Sequence, residues 1–488
     1  MSQIRALGKH TLIYAVGILI GKAASFIMLP IYTRYLTPAD YGVLELLQMT
    51  IDVVGMLAGL GIASSVFKFY SDETAPEAKA EVISTSSTAL ATLSLGTAIV
   101  GFLWTPQITR LVLGAGQPVL YFHLFFIVYF VQTFTTIPYL FIRAEQRSVM
   151  FVTLSVVRLI IALSLNILFV VYLRMGVRGV LFSTLIAWST VGGYLVAYTY
   201  RRVGLHFSLP RIKRIARFSA PLVLSSLASF VLTFSDRYFL KYYSNNATVG
   251  IYSLAYQFGF ALAYFAWTPF SQIWDPQRYQ IARQPDGQVV FRRVFFYLNL
   301  VLLSLACVIA VTAHDILRVM AGYAFQSAAG IVPILMLPYI LQSWSSYCDL
   351  GLFLEHRTRW LGGVAVIAAA SNIALNVLLI PRYGAYGAAW ATAGAFFVRF
   401  ILVYPLSQRL YPVRLGWGRV AALGAVLMLA FVGRQFLPVT HIVPSVAASA
   451  LVLIATGLAI YFGVLRDSER QAAKEFALRP LALLRAVA

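Results

Sequence analysis

Apolar runs of about 20 residues, separated by short polar or basic stretches, recur along the whole chain. A helix rising 1.5 Å per residue crosses a hydrocarbon core of about 30 Å in roughly 20 residues, so each run predicts one membrane-spanning helix. The spans fall near 11–32, 43–66, 83–104, 119–141, 150–173, 179–200, 217–240, 250–273, 294–313, 328–350, 361–380, 385–406, 418–437 and 445–465. The expected fold is an all-α membrane protein with about 14 transmembrane helices.

Composition agrees with a lipid solvent: of 488 residues, 60% are hydrophobic and 11% charged. Soluble globular chains carry roughly 25% charged residues. No loop is long enough to fold as a catalytic domain outside the membrane, so an enzyme is not expected. Gly17, Gly21 and Lys22 lack one spacer residue of a nucleotide-binding loop, and no strand precedes them. Cys307 and Cys348 lie inside apolar runs and the six histidines are scattered, which points to no metal site and no cofactor.

The net charge of +21 suggests nucleic acid until it is mapped onto the spans. With the N-terminus in the cytoplasm, the cytoplasmic segments hold 26 Lys and Arg and the external segments 8. That bias fits a multi-pass protein of the cell inner membrane with both termini cytoplasmic. The largest cluster, Arg201, Arg202, Arg211, Lys213, Arg214 and Arg217, is expected to meet anionic phospholipids, with a docking partner as the alternative; no nucleic-acid partner is expected.

An internal repeat organises the chain. Glu145, Arg147 and Asn166 recur 210 residues later as Glu355, Arg357 and Asn376, and Gly176, Gly179 and Thr184 recur 208 later as Gly384, Gly387 and Thr392. Six spans separate the copies, so the two halves share one orientation and are related by an axis along the membrane normal. The expected organisation is two six-helix bundles plus two C-terminal helices: a lobe at 1–200, a basic linker at 201–217, a second lobe at 218–410, two helices within 411–465 and a cytoplasmic tail at 466–488.

After the first span stands Leu29-Pro30-Ile31-Tyr32-Thr33-Arg34-Tyr35-Leu36-Thr37-Pro38-Ala39-Asp40-Tyr41-Gly42-Val43, and the seventh ends in Ser235-Asp236-Arg237-Tyr238-Phe239-Leu240. With the span plan, these segments resemble the polysaccharide (Wzx-type oligosaccharide-lipid) flippases of the multidrug/oligosaccharidyl-lipid/polysaccharide exporter superfamily. The resemblance implies alternating access between two lobes. It also implies export of undecaprenyl-pyrophosphate-linked oligosaccharide from the cytoplasmic to the periplasmic leaflet, for surface polysaccharide such as lipopolysaccharide or exopolysaccharide. A multidrug or small-cation antiporter and a lipid II flippase of the same superfamily are the alternatives. A polysaccharide polymerase and glycosyltransferases are the partners such a role would bring.

A charge at mid-membrane is costly and marks a candidate site. Lys22, Asp52, Arg158, Arg399 and the adjacent Asp236 and Arg237 sum to +2. None of the mid-span charges is duplicated: the positions equivalent to Lys22, Asp52, Arg158 and Arg399 hold Ser225, Phe260, Ala368 and Val191. An unpaired charge between similar lobes suits an asymmetric substrate site, whereas internal ion pairs such as Lys22 with Asp52 are the structural alternative. Lys22, Arg158, Arg399 and Arg237 are the expected substrate-binding residues, because guanidinium and ammonium groups bind phosphate. Asp52 and Asp236 are the expected ion-coupling carboxylates for H+ or Na+. Ser225, Ser229 and Thr233 share one helix face with Asp236, so they either line a wet cavity or bond across a helix interface. Tyr256 and Tyr264 belong to an aromatic stripe that suits sugar stacking or plain ring packing.

Overall fold

The computed structural model describes residues 28–59, 61–437 and 441–478. Lys22 and most of the expected first span lie outside them. The described residues form helices and connections, with no strand among them.

In chain order the helices are α1 (Pro38–Ala58), α2 (Ile62–Asp72), α3 (Pro76–Leu103), α4 (Thr105–Val112), α5 (Leu120–Ala144), α6 (Ser148–Asn166) and α7 (Val177–Val203). They continue as α8 (Leu209–Phe234), α9 (Asp236–Tyr243), α10 (Asn246–Leu262), α11 (Thr268–Ile281) and α12 (Gly287–Met320). The last are α13 (Val332–Cys348), α14 (Leu350–Leu354), α15 (Arg359–Leu410), α16 (Trp417–Gln435), α17 (Ile442–Gly463) and α18 (Asp467–Leu478). Wide helical turns at Ile167–Tyr172 and Ala263–Trp267 extend α6 and join α10 to α11.

Among the described residues, ten helical stretches are long and apolar enough to cross a membrane, and two bent pairs bring the number to twelve. Helix α15 counts once in that number, yet its 52 residues would reach about 78 Å, more than twice a hydrocarbon core. It turns at Gly384, whose φ of 53° lies outside the helical region. The count of fourteen stays an expectation, since it also needs residues 11–32.

The repeat is written in the backbone. Gly176 stands at φ 58°, ψ −134° and its counterpart Gly384 at φ 53°, ψ −129°, a conformation that a β-carbon disfavours. Gln146 and His356, 210 residues apart, both take left-handed values of 56° and 54°. Each ends a helix in the same way. Arg147 N–H donates to Ile142 O and Arg357 N–H to Leu352 O, closing the last turn with paired back-bonds.

Contacts gather the chain into two compact units, one of residues up to Leu254 with 320–325 and 365–395, the other of 255–319, 326–364 and 396 onward. In the first unit, α1 starts with a capping box. The Thr37 hydroxyl accepts from Asp40 N–H at 3.1 Å, the Asp40 carboxylate accepts from Thr37 N–H at 3.1 Å, and Pro38 opens the helix. Helix α10 has a one-way cap, with Asn245 Oδ1 accepting from Thr248 N–H at 2.9 Å. Five residues after each cap comes a glycine, Gly42 or Gly250, and the two helices cross there. A β-carbon on Gly42 would stand 1.9 Å from Asn246 O, and one on Gly250 would stand 1.9 Å from Pro38 O. The reciprocity is what a two-fold relation between the copies requires. Close by, Gly322 packs on Thr33 O, the Thr33 hydroxyl donates to Met320 O at 3.2 Å, and Tyr41 meets Phe325 edge-on.

The second unit has an aromatic core in which Trp274 stacks on Tyr347 at 5.2 Å and Phe291, Phe295 and Trp417 close the sides. Helices α12, α16 and α17 meet through Cys307, Val311, Leu423, Leu427 and Ile460. Helix α17 is inside-out by soluble standards: Ser445, Ser449 and Thr456 are buried, while Leu451, Ile454, Leu458 and Phe462 are exposed. In lipid the apolar side chains need no cover, and hydroxyls gain by turning inward to a partner.

The Gly42–Gly250 crossing makes a direct prediction. Gly42→Ala or Gly250→Ala should lower the melting temperature of the detergent-solubilised protein by several degrees, since overpacking costs roughly 1–3 kcal/mol. The double variant should be little worse than either single one, because both break one contact. Gly96→Ala, with open space at its β-position, should melt like the parent; a Gly42→Ala protein that does the same would contradict the crossing.

Candidate functional site

In the first unit the polar groups converge where α8 gives way to α9. The break falls at Ser235, and it buries Asp236 and Arg237 to 1% exposure each. The Arg237 guanidinium donates to Asp236 Oδ1 at 2.7 Å and to Thr233 O at 2.8 Å, between the rings of Phe234 and Tyr252. Asp236 Oδ2 accepts from the Tyr252 hydroxyl and from Thr392 Oγ1 at 3.1 Å. Ser235 donates to Asn372 Oδ1 at 3.0 Å, which Asn376 Nδ2 also reaches at 2.9 Å. Neither charge snorkels to an interface. The pair ties α9 and α10 to the middle of α15, and Thr392, the second copy of Thr184, acquires this role in one half only.

Helix α1 presents an acidic face towards this cluster. Glu45, Gln48 and Asp52 follow i, i+3, i+7 spacing and share one side. Glu45 and Asp52 are half-buried, Gln48 Nε2 donates to Asp52 Oδ1 at 3.2 Å, and Glu45 lies within Coulombic reach of both Arg237 and Asp52. The Tyr238 hydroxyl and Thr50 Oγ1 share a hydrogen bond of 3.0 Å, joining α9 to the same helix. Ser225 and Ser229 are exposed on α8 and Thr233 is half-buried. Ser229 donates back to Ser225 O at 3.0 Å.

Arg158 stands apart from these groups. It is half-buried on α6, with its guanidinium 4.2 Å from the centre of the Trp188 ring on α7. Its buried Nε has no hydrogen-bond partner among the described residues. Tyr139 interacts with the same guanidinium, and the ring's quadrupole steadies the cation without neutralising it.

In the second unit Arg399 is half-buried and acts electrostatically on Asp349. Asp349 accepts from Arg278 Nη1 at 2.7 Å, and Arg278, 5% exposed, also donates to Ser346 O at 3.1 Å. Asp275 Oδ1 also stands 3.6 Å from Arg278 Nε, so two arginines face two carboxylates here. Tyr256 is fully buried against Phe260 and Tyr339, and Tyr264 packs on Phe260, so these rings form packed core in this conformation.

Of the sequence-derived residues, the structure joins Asp236 and Arg237, brings Asp52 into the same electrostatic neighbourhood, and leaves Arg158 and Arg399 in separate settings. Lys22 lies outside the described residues. Glu45, Arg278 and Asp349 were not anticipated, although Glu45 and Asp349 interrupt apolar runs and carry the same signal as Asp52. In the basic cluster, Arg211 is held by Glu73 and Glu81 and Arg202 by Glu145. Lys213, Arg214 and Arg217 are exposed around a cavity of about 480 Å³ that Lys68 and Asp72 also line.

Arg237→Leu should test the Asp236–Arg237 pair, because removing one partner of a buried pair costs roughly 3–5 kcal/mol. The expected outcome is a sharply lower melting temperature and membrane yield, partly restored in Asp236→Asn/Arg237→Leu. Parental melting of the single variant would contradict a structural pair.

A model of the family described as "Polysaccharide biosynthesis protein" matches residues 7–276. A search of curated protein sequences returned no match. Among solved structures, the lipid II flippase MurJ in an inward closed conformation superposes with TM-score 0.72 at 13% identity, covering 93% of this chain and 100% of that one. An inward-facing multidrug resistance MATE family transporter gives 0.61 at 15% identity, over 82% and 95%. The MATE multidrug transporter DinF-BH gives 0.59 at 18%, over 83% and 95%. The chain is a multi-pass membrane protein that belongs to the polysaccharide biosynthesis family and is built on the fold these transporters share.

Proposed function

We propose that the protein is an inner-membrane flippase that moves an undecaprenyl-pyrophosphate-linked oligosaccharide from the cytoplasmic to the periplasmic leaflet by alternating access, with both termini in the cytoplasm. The observation that carries the reading is Arg158, a half-buried cation on a ring face rather than on a carboxylate. A diphosphate crossing a low-dielectric interior needs such groups, and guanidinium meets it with a fork of donors. A cation exporter would want the opposite sign.

Membership of the polysaccharide biosynthesis family supports a polysaccharide precursor as cargo, and a cation held by a ring favours an anionic one. In this reading Arg158, Lys22 and Arg399 engage the diphosphate in turn, while the polyprenyl tail stays in lipid. The carboxylate that responds to H+ or Na+ is Asp52, with Glu45 beside it; Asp236 is fully engaged by Arg237, Tyr252 and Thr392. Exposed Lys213, Arg214 and Arg217 attract anionic phospholipid on the cytoplasmic side. A polymerase and glycosyltransferases would act on the product and supply the substrate.

The test is flipping by purified protein in proteoliposomes, read as the fraction of a fluorescent polyprenyl-diphosphate oligosaccharide that an impermeant reductant can reach. Arg158→Leu should insert normally, since a neutral side chain is cheaper in lipid, yet flip at least tenfold more slowly. Lys22→Leu should behave alike, and Arg158→Lys should retain part of the rate because it keeps the charge but loses the fork. Parental rates in both leucine variants would contradict the assignment. Flipping of lipid II in place of the oligosaccharide, or accumulation of organic cations, would move the protein to the alternatives.

A further inference from the structure

Beyond the transport path, the second unit contains a cavity of about 620 Å³ lined from α12, α13, α16 and α17. We propose that it is a binding site for the phosphate head of an anionic membrane lipid. The last two turns of α12 bring His314, Asp315 and Arg318 to this place, and the last turn of α16 brings Arg434. On α17, Ser445 and Ser449 stand one turn apart on the same face.

These groups are wired together before any ligand arrives. Asp315 accepts from both serine hydroxyls, at 2.5 and 2.6 Å. The oxygens of the same serines accept from Arg434, Ser445 from Nη2 at 2.6 Å and Ser449 from Nε at 2.9 Å, while Arg434 Nη1 donates to Leu437 O at 2.9 Å. Asp315 thus acts on Arg434 mainly through two hydroxyls, its nearest direct approach being 3.8 Å. The guanidinium is 12% exposed and folded back onto α17. A snorkelling arginine would extend to the interface instead. Such fixing cuts the ordering cost of recognising a further oxyanion.

His314 and Arg318, four residues apart, stand beside Arg434 on the cavity wall. Arg318 and Arg434 line the wall, with Asp315 held behind Arg434 through the two serines. Val311 and Phe431 supply an apolar flank. A positive head site with an apolar flank, at the ends of membrane helices, matches a phosphate ester on a lipid chain. The tetrahedral oxyanion can receive the imidazole and guanidinium donors together. Two lipids share that chemistry, a glycerophospholipid and a polyprenyl phosphate. With the termini cytoplasmic, this end of α12 faces the periplasm, where a flipped carrier lipid would emerge.

The experiment uses the full-length protein in detergent, titrated with phosphatidylglycerol, with a polyprenyl monophosphate and with diacylglycerol as the phosphate-free control, bound lipid being counted by native mass spectrometry. Both phosphate lipids should bind and inorganic phosphate should compete, while diacylglycerol should not bind. His314→Gln/Arg318→Gln should weaken binding about tenfold or more, and Arg293→Gln, near the other end of α12, should leave it unchanged. Stronger binding of one lipid identifies the natural ligand as bulk phospholipid or as carrier. Diacylglycerol binding as well as phosphatidylglycerol, or unweakened binding by the double variant, would overturn the site. Should the double variant fail to fold, a photoactivatable phosphatidylglycerol on the parent protein decides: adducts within 310–318 or 431–437 support the site, and labelling that never reaches those segments refutes it.

Discussion

Two carbonyl oxygens, those of Pro38 and Asn246, occupy the places where side chains would begin on Gly250 and Gly42. No side chain larger than hydrogen permits the crossing, and much of the first unit hangs from it. A capping box fixes where α1 begins and the Asn245 side chain where α10 begins, the glycines fix where they cross, and the crossing fixes where Asp236 finds Tyr252. It lies at the ends of the helices that face away from the basic loops. Residues 320–325 of the second repeat belong to the same compact unit as this contact.

The charges divide by what surrounds them. Asp236 and Arg237 are desolvated and bonded to each other, and such pairs specify arrangement more than they add stability. Arg158 and Arg399 are half-buried and held loosely, one by a ring and one by a shared carboxylate. The repeat explains why this asymmetry is informative. Paired backbone features such as Gly176 with Gly384 preserve architecture, whereas Arg158, whose counterpart is Ala368, has no architectural twin.

Much of this was legible in the amino-acid sequence. Apolar runs marked the spans, the 208 and 210 offsets marked the repeat, and the segment from Leu29 to Val43 marked the family. What the motif does physically was not legible: Thr37 and Asp40 form a cap, and Gly42 meets a carbonyl from a helix more than 200 residues away. The fate of Arg237 was equally hidden, because local sequence cannot tell a cation facing a cavity from one wedged between Phe234 and Tyr252. Glu45 and Asp349 could have been found by counting every acidic residue inside the runs. The network of Asp315, Ser445, Ser449 and Arg434 depends on two helices folding back on α12, which periodicity does not encode.

In the proposed flippase, alternating access would require the Gly42–Gly250 crossing to separate when the outer side opens, and a distance across it tests the account most directly. Spin labels at Tyr35 and Tyr243, both exposed just before the caps, would report it by pulsed electron resonance in nanodiscs. The account predicts one short distance in the resting protein and a second, longer population when the lipid-linked oligosaccharide is added. An unchanged single distance in a preparation that is actively flipping would contradict it.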